Sequence, residues 1–381
     1  MSIKTDNMGA FGFAAVLALS RIFSETALLP GVYVEYGMQR FTAVVLSFLL
    51  AALLYVPLLV AAARNGGALL PDAAPGRRRM LSGFVGAVTA VYLLFCAAET
   101  GLRSHYYTSS TAFDSAPSAY FYIFVGAALL FAVSRGIKAT VRAGALASAG
   151  ALLLLALITA ALVPDIKTDR LYPSLIDRPD GLAGEVLDEF SRSSEILLFA
   201  VLCGKVRGRP ERCAGLYLLL SCGVIVFMTF LYNTVFGRLL SLLDYPFYTL
   251  SSVSDITLLH RINGIDVMIW VSAAIVRLAL FTFAFRETVR TCFTAGRAAD
   301  ICGYVFAVAA LLLSELFTAF PELYEPLKKI CGSGIPLAAA VLLITALSAV
   351  SGRSGRHSGD RNVFSPAAGA GKRSNRKSEK R

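Results

Sequence analysis

The sequence predicts an all-α integral membrane protein of about ten transmembrane helices, and three observations carry that prediction. Only 16% of the 381 residues are charged, against 56% hydrophobic, where a soluble domain carries roughly 25% charged residues. Apolar runs recur along the chain at lengths near the ~20 residues that cross a bilayer's hydrocarbon core. Lysines and arginines gather in alternate connections between those runs, the pattern that fixes which connections stay in the cytoplasm.

The runs fall at about 11–29, 39–63, 81–101, 118–134, 143–163, 190–206, 213–235, 263–285, 301–320 and 334–350. The first is not a cleavable leader. Lys4 is the one basic residue before it, Arg21 and Glu25 interrupt it, and no small-x-small site follows. With both termini cytoplasmic, every inner connection is basic. The first holds Arg64, Arg77, Arg78 and Arg79, and the second Arg135, Lys138 and Arg142. The third holds Lys205, Arg207, Arg209 and Arg212, and the fourth Arg286, Arg290 and Arg297. The net charge of +11 is therefore a product of topology, and no nucleic-acid partner is expected.

Taken in order, the connections and spans carry further signals. The inner connection 64–80 is Gly/Pro-rich and basic, which suits the anionic cytoplasmic face of a lipid bilayer. The fifth span opens "AGALASAGALLLL", whose small residues at 143, 144, 147, 148 and 150 let helix backbones approach closely. The outer connection 164–189 is acidic, and its prolines argue against a continuous helix. From Ser351 the sequence turns polar and basic. Residues 1–350 thus read as a polytopic transmembrane domain and 351–381 as a disordered basic cytoplasmic tail.

Charged residues inside the spans point to function, because each costs about 2.5–3.5 kcal/mol on insertion scales. Arg21 lies mid-span in the first segment and Arg277 near the middle of the eighth, and Glu25, Glu99, Glu195 and Glu315 lie in or near others. Polar residues interrupt the first run at Ser20 to Glu25, and "SRSSE", Ser191 to Glu195, interrupts the sixth. Two broken helices opening two five-helix halves, about 8–163 and 185–350, are the sequence pointer to a transporter-type site. Such a 5+5 inverted repeat with broken helices 1 and 6 would place both breaks at the midplane, where free N–H and C=O groups meet a ligand.

The substrate-binding candidates are Ser20, Arg21, Ile22, Phe23, Ser24, Tyr92, Cys96, Ser193, Ser194 and Glu195. Phe23, Tyr92 and Phe95 could stack on a larger ligand. Glu25 and Arg277 form an ion-pair or cation-mimic set. For Arg277, neutralising an internal acid such as Glu25, Glu195 or Glu315 is the favoured role. Glu195 reads equally as a pocket residue or as an outer-interface residue, and Glu99 and Glu315 as helix-end groups. No catalytic residue is expected, since nucleophile-elbow, zincin, P-loop and dinucleotide motifs are absent from fitting contexts. The seven cysteines and three histidines are scattered without metal-ligand spacing, so no cofactor, metal or disulfide framework is expected.

The stretches "LSRIFSETALLPG", "SSEILLFAVL" and "LLDYPFYTLSSVSDITLLHRINGIDVMIWVSAAIVRLAL" (242–280) resemble the B subunits of spore-germination receptors, of the amino acid–polyamine–organocation superfamily. The resemblance spans about residues 8–350. The family tends to place an acid before the arginine at 261 and an aspartate soon after it. This chain has His260 and Asn263 there, with an acid at Asp266. The resemblance implies a LeuT-like bundle with a small-molecule pocket between spans one, three, six and eight. It also implies a germinant such as an amino acid, A and C partner subunits, and a spore inner membrane or cell membrane. A proton-coupled amino acid permease is the alternative expectation. A scaffold without a ligand has little reason to carry the buried charges of spans one and eight.

Overall fold

The computed structural model describes residues 8–27, 37–65, 69, 77–112, 117–171, 179–254, 262–293 and 296–359. Helices dominate them: α1 (Ala10–Thr26), α2 (Gly37–Arg64), α3 (Arg77–Thr111), α4 (Ser118–Arg135), α5 (Ile137–Leu162), α6 (Pro179–Ser191) and α7 (Glu195–Leu202). There follow α8 (Pro210–Phe236), α9 (Pro246–Val253), α10 (Ile262–Cys292), α11 (Gly296–Ala319), α12 (Pro321–Gly332) and α13 (Ile335–Gly359). Two short strands, β1 (Met8–Gly9) and β2 (Val206–Arg207), pair in parallel with Met8 opposite Val206.

Among the described residues, seven helices are long and apolar enough to cross a membrane: α2, α3, α4, α5, α8, α10 and α11. The pair α12 and α13, bent by 56° at a short break, makes an eighth if taken as one span. This is the architecture of a multi-pass helical membrane protein. The other two expected runs fall short alone, because α1 has 17 residues and the sixth run is divided between α6 and α7, of 13 and 8 residues.

The centre of the bundle is set by burial. In α10, 67% of the apolar window lies inside the protein, against 28–50% for the other six spans. It packs on α1, α3, α4, α5, α7 and α11. In α1 every side chain from Phe13 to Thr26 is buried, as expected of a helix enclosed on all sides. The close approach expected in the fifth span is found at Gly144, where a Cβ would stand 2.8 Å from methyls of both Val16 and Val276. Glycine there lets α5 touch α1 and α10 together. Proline opens α8, α9 and α12 near the first position, where its missing N–H leaves no helical hydrogen bond unmade.

Two expectations about the backbone divide. The sixth run is broken: α6 ends at Ser191 and α7 begins at Glu195, with Arg192–Ser194 between them outside any helix. The first run is not broken at Ser20–Glu25, because α1 winds without interruption through Thr26. The expectation of a break there is corrected, and the physical reason is side-chain satisfaction. Ser20, Arg21 and Glu25 find partners on neighbouring elements, and the Ser24 and Thr26 hydroxyls bond to carbonyls of α1 itself, so the helical ladder need not open to accommodate them. Residues 28–36, including Pro30, lie outside the described residues.

The tail also starts later than expected. α13 continues past Ser351 to Gly359, since extending an existing helix adds a hydrogen bond per residue without a new nucleus. Residues 360–381 of the expected tail lie outside the described residues, as do residues 172–178 of the acidic connection.

Candidate functional site

Arg277 is the hub of the bundle. Halfway along α10, it is 6% exposed, so its charge must be met from inside. Its guanidinium reaches three other elements. Nη1 donates to Glu195 Oε1 at 2.5 Å, to Ser20 Oγ at 3.0 Å and to the Ser20 carbonyl. Nη2 donates to Ser194 Oγ at 2.9 Å and Nε to Thr100 Oγ1 at 3.0 Å. Ser20 in turn donates to Glu195 Oε1 at 2.8 Å. One arginine therefore joins α1, α3, α10 and the break before α7. Of the three acids open as its partner, the fold selects Glu195. That carboxylate is fully buried, so its reading as an outer-interface residue is corrected.

A second charged network lies beside the first and ties α1 to α6. Arg21 pairs with Glu189 and stands 3.9 Å from Glu25. Arg192, at the break, reaches Glu189 at 2.9 Å, Glu25 at 3.3 Å and Asp188. Arg40 from α2 pairs with Glu25 and stands 3.6 Å from Glu189. Arginines and carboxylates alternate here, which is how buried ions are kept in a low-dielectric interior. A third pair, Arg103 with Glu99 at 2.5 Å, crowns α3, and Tyr324 of α12 donates to Glu99 at 3.2 Å.

These networks meet around a small cavity of about 50 Å³, open at a rim that includes Asp188 and Lys328. Its walls include Ser24, Tyr92, Phe95, Cys96, Glu99, Arg103, Asp188, Arg192, Ser194, Arg277 and Lys328. A water needs about 10–15 Å³ of such space, so the cavity takes a few waters and is too small for an amino acid. Four cationic side chains and two carboxylates face it, leaving a positive surplus. Two wider spaces, about 770 Å³ between α3, α4, α9 and α10 and about 520 Å³ between α4 and α11, have mostly apolar walls. They suit hydrocarbon chains, with Glu315 the one charged side chain on the wall of the smaller among the described residues.

The sequence-derived candidates are distributed unevenly around this site. Ser24, Tyr92, Cys96, Ser194 and Arg277 line the cavity, and Ser20 and Glu195 hold Arg277 from behind. Arg21 and Glu25 belong to the α1–α6 network instead. Ile22 and Phe23 pack into an apolar cluster with residues of α5, α8 and α10, away from the cavity, which separates Phe23 from Tyr92 and Phe95. Ser193 is buried at the break outside the cavity walls. Backbone at the break is also less free than expected. The N–H groups of Ser193, Ile196 and Leu197 donate to the carbonyls of Phe190, Ser193 and Ser194.

Glu315 accepts from Ser118 at 2.8 Å between α11 and α4, and so works between helices rather than as a solvated end. Glu189, Arg192, Arg40, Arg103, Thr100 and Lys328 were not singled out from sequence. Arg192 stood inside the quoted "SRSSE", and Glu189 precedes it by three residues, a spacing that brings two helical side chains together. Arg40, Thr100 and Lys328 carried no such signal. Among the described residues, no group of three or more His, Cys, Asp or Glu side chains is placed to hold a metal ion. No protein-family model and no curated protein matches the chain.

Proposed function

We propose that the chain is the ligand-binding membrane subunit of a spore germinant receptor, taking a small carboxylate-bearing nutrient such as an amino acid into a transporter-like pocket. The pocket is the space between α1, α3, α10 and the break before α7. One observation carries the reading: the Arg277 guanidinium bonds both to α1 and to Ser194 and Glu195 at the interrupted helix. A ligand entering beside Ser194 competes for that guanidinium and so changes what holds the break. Charge supports the ligand class, since the cationic surplus of the cavity walls favours a carboxylate through charge-assisted hydrogen bonds. Glu195 Oε2 has no hydrogen-bond partner among the described residues and offers an acceptor to a ligand ammonium once the cavity opens.

The described conformation is closed, because a cavity of about 50 Å³ is well below the ~300–1,000 Å³ of ordinary ligand sites. Ligand then acts by favouring a more open arrangement, to the extent that it binds that arrangement better. The reading extends the fold to ten spans in a LeuT-like 5+5 inverted repeat, halves about 8–163 and 185–350, with both termini cytoplasmic. Partners would be the A and C subunits in a spore's inner membrane. The break between α6 and α7 is the feature of that arrangement with direct support. A proton-coupled amino acid permease is the second reading, in which the α6–α7 break would serve alternating access around the same pocket. The fixed charge of Arg277 between α1 and α10 argues against sodium as a coupling ion.

Thermal unfolding of the full chain in lipid nanodiscs, with a panel of amino acids, tests ligand binding. A true ligand at 100 times its Kd adds about 2.7 kcal/mol to stability. A panel without any stabilising member removes the ligand-binding reading. Uptake into proteoliposomes separates the two functions: rapid gradient-driven accumulation selects the permease.

A further inference from the structure

The wider of the two apolar spaces lies away from the Arg277 site, and the proposed function does not use it. It is a slot of about 770 Å³ between α3, α4, α9 and α10. Its wall on α10 runs from Gly264 to Ser272 and its wall on α4 from Pro117 to Val125, each about 12 Å long at about 1.5 Å per residue. Tyr120, Phe124 and Met268 stand on those walls and are also exposed on the outside of the bundle. The slot therefore opens sideways, where a multi-pass protein meets lipid.

A space of this size has to be filled, because protein interiors are close-packed and an empty cavity costs stability in proportion to its volume. Water is a poor occupant, since it needs several polar partners and the walls are mostly apolar. A zwitterion or an anion fits no better, as no charged side chain lines the slot among the described residues. A helix of another chain would seat little of itself there: about 12 Å is some eight residues, against the ~20 that span a bilayer. A lipid tail matches. One leaflet's hydrocarbon is about 15 Å deep, half of the ~30 Å core.

One polar group on the wall is unmet. The hydroxyls of Thr108, Ser109, Thr111, Tyr248 and Ser272 donate to backbone carbonyls. His105 is buried among the rings of Tyr106, Phe121 and Tyr122, and its Nδ1 has no hydrogen-bond partner among the described residues. Leaving a buried polar group unpaired is costly, and an imidazole carries at least one N–H donor whether neutral or charged. Phe121, against which it packs, is one turn into α4. The imidazole therefore stands near the end of the slot where that span begins, and Val125 and Val271 line the deeper part. Polar above and apolar below is the order of groups along a lipid. We propose that the slot is a lipid-binding site, holding one acyl tail of a bilayer lipid along α10 with an ester carbonyl of that lipid accepting a hydrogen bond from His105.

Photo-crosslinking of the full chain in phosphatidylcholine nanodiscs tests this, with part of the lipid carrying a diazirine in one acyl chain. Adducts are expected on Val125, Val267 and Val271, inside the slot, at yields matching those on Leu146, an exposed residue of α5. Val271→Phe fills the slot and is expected to cut the yields on Val125 and Val267 several-fold while leaving Leu146 unchanged. His105→Phe keeps the ring packing and removes the N–H. It is expected to lower retention of the lipid through transfer to detergent, counted by native mass spectrometry, by about fivefold, the worth of one hydrogen bond. This variant carries the test should Val271→Phe fail to fold. Three results overturn the proposal: background labelling of Val125 and Val267 beside full labelling of Leu146; cross-links from Met268 to a second copy of the chain; or equal lipid retention by the wild type and His105→Phe.

Discussion

Arg277 of α10 and Glu195 of α7, 82 positions apart in sequence, meet at 2.5 Å beneath the break in the sixth run. Neither residue has another opposite charge within 4 Å among the described residues. The pair therefore answers for itself, and its two members should behave as one unit under mutation.

Glu195→Gln leaves Arg277 buried with hydroxyl and amide partners alone. Breaking a buried pair by removing one charge costs about 3–5 kcal/mol, so a large fall in thermal stability is expected. The double variant Glu195→Leu with Arg277→Met removes both ions and is expected to recover most of that loss. Thermal unfolding of the single and double variants in nanodiscs measures the coupling, and strictly additive losses would show that the pair is not a unit.

Arg21→Ala is expected to act on stability before it acts on any ligand. Its guanidinium faces Glu189 and Ser24 rather than the cavity. Losing it leaves Glu189 to Arg192 and Arg40, with a destabilisation of about 3 kcal/mol or more. If Arg21→Ala unfolds like the wild type but abolishes ligand-induced stabilisation, the residue touches ligand and its placement in the α1–α6 clamp is not its main role.

Arg103 and Lys328 offer a graded test of the positive cavity wall. Arg103 also holds Glu99 and the Ser24 carbonyl at 3.0 Å, while Lys328 stands at an exposed rim. Lys328→Ala should weaken carboxylate binding by a few-fold, and Arg103→Lys by about tenfold, near 1.4 kcal/mol, because lysine loses the two-pronged geometry. Ligand titrations followed by unfolding temperature check both. Equal affinities in all three proteins would place the carboxylate elsewhere.

Gly144→Ala probes the meeting of α1, α5 and α10 with a single methyl group. That methyl would stand 2.8 Å from Val16 and from Val276, both on helices central to the bundle. Overpacking of this kind costs about 1–3 kcal/mol. The companion Val276→Ala should restore part of the loss by making room, and a cycle of the two variants reads the shared contact. Gly215→Ala, at an unobstructed position on α8, serves as the control and should be neutral or slightly stabilising.

Much of the architecture was legible in the sequence. Runs such as 39–63 and 213–235 became α2 and α8 because a long apolar stretch in lipid can satisfy its backbone only as a helix. The interruption "SRSSE" became the α6–α7 break, where three serines and two charges in five residues weaken the helix. The same logic failed at Ser20–Glu25, whose composition is similar. Pattern alone does not show whether polar side chains will be met by neighbours, and on α1 they are met by Glu189, Arg40, Arg192 and Glu195.

By itself, then, the sequence determined the helical class, the positions of most spans, the presence of expensive buried charges and the close approach at Gly144. These follow from local composition and spacing. The pairing of those charges was decided only in three dimensions: Arg277 with Glu195 rather than Glu25 or Glu315, and Arg21 with Glu189. Helix packing brings together residues scores of positions apart, and the strength of a buried charge's interaction depends on the few ångströms between neighbours.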